Sequence, residues 1–566
     1  MKKRISFFLL SAGLFFAVFT SCKSGQTSLN ANYVKSQPQP LELVAGKVPV
    51  TIQAIFPPSW FNRNASIVIT PVLRYGENEA VGTSYSFQGE RVAGNGQVID
   101  QKNGATVTMK SVFNYIPEMH NSELYLTFSA SIGNRAVNLP EIKIGDGVLA
   151  TAGLLNVMTE SPAIAADNFQ RVIKEAYNAN IMFLIERAEL RSSELYKSEV
   201  MDWKDRVGKA DLSPNQEIEI EISSYASPDG GYELNRKLAE NREANTESHL
   251  FNELEKANID VPVYTRYTAQ DWDGFRELVE KSNIQDRDLI LRVLSMYTDS
   301  EEREREIKNI SSVYAILTDE ILPQLRRSRL TANIEIIGKS DDEISSLAIS
   351  NPKALNVEEL LYAAYLASTT QEKEAIYKKV TELFPSDPRG FNNLGVIEFA
   401  KGNIQSSETL FNKAYELSRN LPEANLNLGY IALAKGDKNK AEQYFGNATS
   451  VPELNNAMGL LSVLEGNYAQ AEKSFGETLN NNAALAQIMA KDYNKAQKTL
   501  NAIAQPDATT YYLKAIVGAR TNNLNDVTQN LRQSIALNPD YATLAIKDFE
   551  FYKYIKNSLF LGAVLR

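Results

Sequence analysis

Residues 391–448 read FNNLGVIEFAKGNIQSSETLFNKAYELSRNLPEANLNLGYIALAKGDKNKAEQYFGNA. Asn393-Leu394-Gly395 recurs as Asn427-Leu428-Gly429, a step of 34 residues. Twelve positions after each Gly stand Ser407 and Ala441, sixteen after it Phe411 and Phe445, and nineteen after it Ala414 and Ala448. The turns Lys401-Gly402-Asn403 and Lys435-Gly436-Asp437 divide each unit, so the period predicts paired helices. The frame continues from Gly459 with Ala471 and Phe475. It is weaker with Ala484, Ala496 and Leu500, and then with Ala515, Val527, Leu531 and Pro539. No unit of this size buries its own apolar face, so residues 357–566 are expected to stack as one all-α solenoid with a partial first unit at 357–388. Tyr511, Tyr512, Tyr541, Phe549, Phe551, Tyr552 and Tyr554 mark the last segment as a cap on the final repeat.

Small residues at positions 8 and 20 of a 34-residue unit, with an aromatic at 24, resemble the tetratricopeptide repeat. The resemblance implies that small residues let the paired helices close up and that Phe or Leu fills the gap to the next unit. It further implies a concave surface that grips an extended peptide or a helix of a protein partner, unidentified from sequence.

Upstream the texture is mixed. Strand candidates lie at 180–186, 217–223, 261–267 and 330–337, with helices over 192–209 and 232–254 and a charged helical insertion at about 271–325. The order β-α-β-α-β-helices-β predicts a central α+β domain over 169–338. Within it, ISSYASPDGGYELNRKLAENREA (222–244) places Gly230, Asn235, Leu238 and Arg242 at the spacings of OmpA-like, peptidoglycan-associating domains, which this stretch resembles. AQDWDGF (269–275) and LPQLRR (322–327) resemble the branch of that family found in Bacteroidetes outer-membrane proteins. The resemblance implies that Arg242 offers a forked pair of donors to a wall-peptide carboxylate, beside Asn235. Ser227 stands where the family carries Asp, and Asp229 follows two residues on. Ser227, Asp229, Asn235 and Arg242 are therefore the candidate peptidoglycan-binding residues.

From 35 to 150, short alternating runs such as 48–55, 66–73 and 124–132, broken by turns, predict an all-β sandwich. Trp60, in the loop Pro57-Pro58-Ser59-Trp60-Phe61, is expected to pack over one end of it.

The first residues, MKKRISFFLLSAGLFFAVFTSC, set three cations before an apolar run of about 15 residues, too short to span a membrane and suited to a signal peptide at 1–21. The chain's one cysteine, Cys22, follows at once. This resembles a bacterial lipoprotein signal, which implies lipidation (palmitate among the acyl chains) at Cys22, a tether over 22–34 and a membrane partner reached through the lipid.

The 566 residues carry a formal charge of −10, which argues against nucleic-acid binding. One cysteine and two histidines leave little for disulfides, metals or acid–base chemistry. No phosphate-binding loop, HExxH or GxSxG motif is present, so no catalytic residue, metal or cofactor is assigned. The expectation is a non-catalytic outer-membrane lipoprotein, facing the periplasm, that tethers and scaffolds. The alternative is a surface-exposed interaction protein or antigen without wall binding.

Overall fold

The computed structural model describes residues 28–284 and 286–565. The signal-like segment and Cys22 lie outside the described residues. The described residues form two compact units: one joins those up to Ala165 with those from Phe384 onward, and the other is Ala166–Leu383.

The first unit begins with a sheet-rich region. Alternation along Lys47–Phe56 buries Val48, Val50, Ile52, Ala54 and Phe56 and turns Lys47, Gln53 and Ile55 outward. This strand pairs antiparallel with Val34–Gln37 and with Ala105–Asn114. A second sheet is built on Ala65–Tyr75, antiparallel to Ser122–Ile132 along its whole length. Apolar side chains of both sheets, among them Ile52, Phe56, Ile67, Ile69, Phe87 and Leu126, form one shared core. Trp60 stacks on Phe56 with ring centroids 5.2 Å apart, closing one end of that core.

Phe384 onward is helical, and among the described residues of this unit the repeat frame gives five helix pairs. These are Pro388–Ala400 with Ile404–Leu417, Pro422–Ala434 with Lys438–Phe445, Leu454–Glu465 with Tyr468–Phe475, Asn481–Met489 with Tyr493–Ala502, and Ala508–Arg520 with Leu524–Leu537. Proline starts the first two, where its missing N–H costs nothing. A Cβ on Gly395, Gly429 or Gly459 would come within 2.6, 2.1 or 2.7 Å of the rings of Phe411, Phe445 or Phe475. Each Phe thus sits against the glycine of its own unit, because the hairpin brings these two frame positions face to face, and all three rings belong to one core shared by neighbouring units. The turn inside each of the first three pairs places Gly402, Gly436 or Gly466 in the left-handed region, with φ of 79°, 78° and 81°. In the last two pairs Lys491 (φ 69°) and Asn522 (φ 60°) occupy that conformation. Asp540–Lys547, Phe549–Tyr554 and Ser558–Val564 complete the C-terminal end, where Tyr512, Phe551 and Phe560 are buried together. Phe549 lies over Gly147 of the sheet region.

The second unit centres on a four-stranded sheet in the order Val172–Met182, Arg327–Ile337, Gln216–Tyr225, Val263–Thr268. The last two run parallel and the others antiparallel. The first strand starts earlier than the apolar run at 180–186 suggests. Its opening half is exposed and is held by backbone pairing to Arg327–Ile337 rather than by buried side chains. Helices Ser198–Asp211 and Tyr232–Ala257 contribute Trp203, Val207, Leu250 and Leu254 to a core with Ile218, Ile220, Ile222 and Leu330. The insertion between Val263–Thr268 and Arg327–Ile337 carries helices Trp272–Lys281, Arg287–Met296 and Ser300–Asn309 around its own core of Phe275, Ile290, Leu294 and Ile307. The helix pair Val357–Leu366 and Thr370–Leu383 also belongs to this unit.

Candidate functional site

The groove-lining helices of the solenoid are not bare. Residues 151–165, which follow the sheet region, lie along them in reverse order, from Asn482 towards Asn393. Three asparagines grip this segment in the same way. Asn427 Oδ1 accepts from the Ala163 N–H at 2.8 Å, while its Nδ2 donates to the Ala163 carbonyl at 2.9 Å. Asn393 does the same to Ala165 at 2.8 and 2.9 Å, and Asn482 to Asn156 at 3.0 and 2.8 Å. A carboxamide carries one acceptor and two donors, so it can pair with both main-chain groups of one residue as a neighbouring β-strand would. Asn392 ties the clamps together. Its Nδ2 donates to the Ala163 carbonyl and to Asn393 Oδ1, and its Oδ1 accepts from Asn427 Nδ2, all at 3.0 Å. All four asparagines are buried, and Ala163 and Ala165 lie beneath the surface with Ile164 exposed between them. That alternation is the signature of extended chain held along one edge.

One side chain of the segment enters a polar pocket. The Glu160 carboxylate accepts from Nδ2 of Asn482 (2.8 Å), Asn480 (2.9 Å) and Asn456 (3.3 Å). Burial pushes its pKa above the ordinary 4.5, and the three amides pull back only in part. Among the described residues no cation takes part. Apolar contacts gather towards the start of the segment: Val157 and Ala163 join the solenoid core, and Ala152, Leu154, Leu155 and Met158 pack against it.

At the start of the segment, Thr151 Oγ1 donates to Glu550, whose carboxylate also receives Arg520 Nε at 3.0 Å. The Arg520–Glu550 pair is almost wholly buried. Asp548 accepts from the Tyr512 hydroxyl at 2.7 Å, and burial next to Glu550 pushes its pKa up to about 6.

The residues singled out from the sequence converge in the second unit, but they face inward. Arg242 is 1% exposed. Its Nε donates to the Arg187 carbonyl (3.0 Å), Nη1 to that of Tyr225 (2.8 Å) and Nη2 to that of Leu184 (3.3 Å). Its plane lies 5.0 Å from the Phe183 ring centre, and burial beside Arg326 lowers its pKa to about 10. Asn235 Nδ2 donates to the carbonyls of Ser227 (3.0 Å) and Gly230 (3.1 Å). Arg326 donates to Ser227 Oγ at 3.2 Å and to Asp229 at 3.1 Å. The expected ligand fork of Arg242 is therefore occupied by main chain, and Asp229 is matched by Arg326. The reason is local: residues 183–187 fold over the guanidinium, a contact that no motif spacing encodes.

The groove residues escaped the sequence reading, although a signal exists. Asn393, Asn427 and Asn482 each stand two residues before the small residue that opens a frame, Gly395, Gly429 and Ala484, whereas Ala457 and Leu513 hold that position in the other units.

A family model for the tetratricopeptide repeat matches residues 422–453, the unit that carries Asn427. The C-terminal helical region carries a tetratricopeptide repeat. No curated protein sequence matches the chain. Among solved structures, the chain is similar to a tetratricopeptide repeat protein from Parabacteroides merdae at 14% identity, over 40% of this chain and 91% of that one, with a TM-score of 0.29. It is also similar to PilF of Pseudomonas aeruginosa (17% identity, 38% and 98% covered, TM-score 0.27). A third is YrrB, described as a TPR protein with an unusual peptide-binding site (18% identity, 30% and 97% covered, TM-score 0.23). Among the described residues no group of three or more His, Cys, Asp or Glu is placed to hold a metal, and no helix is long and apolar enough to cross a membrane.

Proposed function

We propose that this protein is a non-catalytic interaction scaffold whose tetratricopeptide region binds extended polypeptide by its main chain, on a body anchored to the bacterial envelope through a lipid on Cys22. The clamps of Asn393, Asn427 and Asn482 on residues 156–165 carry this reading, since a groove that hydrogen-bonds both backbone groups of successive sites is a peptide-binding surface. The lipid anchor rests on the sequence before Cys22, and the resemblance of 169–338 to OmpA-like domains supports an envelope setting. Of the two roles considered from sequence, an interaction protein without wall binding is favoured, because the Arg242 donors are taken by carbonyls.

Limited proteolysis of the full chain tests the groove. The wild type should resist cleavage between 155 and 165, and Asn393→Ala/Asn427→Ala/Asn482→Ala should be cut there readily while its helices stay intact. Equal resistance in both proteins would refute the clamp reading. Cys22→Ala should leave the membrane fraction; unchanged fractionation would remove the anchor.

A further inference from the structure

The occupant of the groove is part of the same chain, and the way it is held bears on what else the groove takes. All three asparagine clamps address main-chain atoms, so any extended segment with small side chains at the two deep positions satisfies them equally. Ala163 and Ala165, 1% and 2% exposed, set that size limit. Thr159 Oγ1 accepts from Asn482 Nδ2 at 3.2 Å, and the Glu160 carboxylate meets three neutral amide donors and, among the described residues, no cation. The apolar anchors, Leu155, Val157 and Met158, lie in the first part of the segment; beyond them only Ala163 joins the core, and Ser161 and Ile164 face outward, leaving an accessible edge from which exchange can begin. Covalent tethering gives the connector its advantage: an attached segment competes at an effective concentration in the millimolar range.

We propose that residues 155–165 are an intramolecular placeholder. The groove's partner in trans is an extended peptide with a carboxylate side chain followed, three and five positions later, by alanine-sized residues, and it binds by displacing the connector. The proposal rests on the peptide-binding reading of the groove. It adds that cis occupancy gates the site, so that partner binding releases the stretch of chain leading to Ala166.

The test uses a fluorescein-labelled peptide of residues 154–167, LLNVMTESPAIAAD. It is titrated against the full chain, against Ala163→Arg/Ala165→Arg, in which the connector no longer fits, and against that variant with Asn393→Ala and Asn427→Ala added. The opened variant should bind at least ten-fold more tightly than wild type. The added alanines should abolish that gain, and a peptide carrying Glu160→Lys should lose it too. An opened variant with wild-type helical circular dichroism that binds no better than wild type would overturn the proposal. A readout independent of that variant's folding is hydrogen exchange of residues 155–165 in the wild type with and without millimolar unlabelled peptide. Faster exchange of the chain's own segment supports displacement, and unchanged exchange overturns it. If that segment is protected yet never displaced, the groove reading stands and the connector is a fixed strut. If it is unprotected from the outset, both readings fall.

Discussion

In the solenoid groove, Asn393, Asn427 and Asn482 each hold an N–H and a C=O of one passing residue; in the central unit, Arg242 gathers the carbonyls of Leu184, Arg187 and Tyr225. Both clusters use buried polar side chains to satisfy main chain, but the chemistry differs. A carboxamide offers donor and acceptor together, so it completes an extended segment in a strand's place. A guanidinium has donors only, so it suits a loop whose carbonyls converge and whose N–H groups point elsewhere. The first arrangement fits a segment that arrives and can leave. The second fits a loop that folds once and stays. The lesson for the central unit is that a residue at a ligand-binding spacing can be spent on its own backbone.

Breaking the second arrangement should have the largest effect. Arg242→Ala takes the guanidinium donors from the Arg187 and Tyr225 carbonyls, leaves Leu184 C=O with the Arg187 N–H alone and opens a void, so the central unit should lose about 3–5 kcal/mol. Urea unfolding followed by tryptophan fluorescence reads this, since Trp203 and Trp272 lie in that unit and only Trp60 lies outside it. An Arg242→Ala protein of unchanged stability that alone fails to sediment with peptidoglycan would invert the comparison and make the arginine a ligand group.

Asn427→Ala should cost the docked connector about 1–3 kcal/mol, because the buried Ala163 N–H loses its acceptor while the C=O keeps only the Asn392 donor. The change should appear as faster cleavage within 155–165 with little effect on the central unit, and an effect spread evenly over both units would blur the distinction drawn here.

A smaller effect sharpens the chemistry of the groove. The Glu160 pKa is raised by burial above 4.5, so its contribution to docking is complete below that value and is lost as pH rises through the raised one. Docking should therefore weaken from about pH 4.5 towards neutrality. The groups around the carboxyl are the amides of Asn456, Asn480 and Asn482, with Tyr430 nearby. Glu160→Gln should flatten the pH profile, measured as connector cleavage between pH 4.5 and 7.5 by an acid-tolerant protease, and a profile unchanged by the substitution would remove the carboxyl from the account.

The smallest effect lies in the repeat turns. Lys491 adopts the left-handed backbone that Gly402, Gly436 and Gly466 adopt in the first three pairs. Lys491→Gly should stabilise the solenoid by about 1 kcal/mol, and thermal melting of its helices checks it.

The solenoid was legible because it is written locally: Gly395 against Phe411 and Gly429 against Phe445 are size-matched pairs at a constant separation. The alternating strands of the sheet region and the strand–helix order of the central unit were legible for the same reason. The occupied groove was not. Residues 150–165 have neither helical nor strand period over a useful length, and Thr159-Glu160-Ser161-Pro162 reads as a linker. Their conformation is imposed by asparagines more than two hundred residues away in the chain. Arg242 shows the converse case. Its spacing was plain, but whether it faces a ligand or its own backbone depends on residues 183–187, which the motif does not include.

Residue-resolved hydrogen exchange on the full chain tests the central claim most directly. Ala163 and Ala165 donate to Asn427 and Asn393, whereas Ile164 between them has no such acceptor among the described residues. The account predicts slow exchange at Ala163 and Ala165 with fast exchange at Ile164. Three amides exchanging together at the rate of an open loop would contradict it.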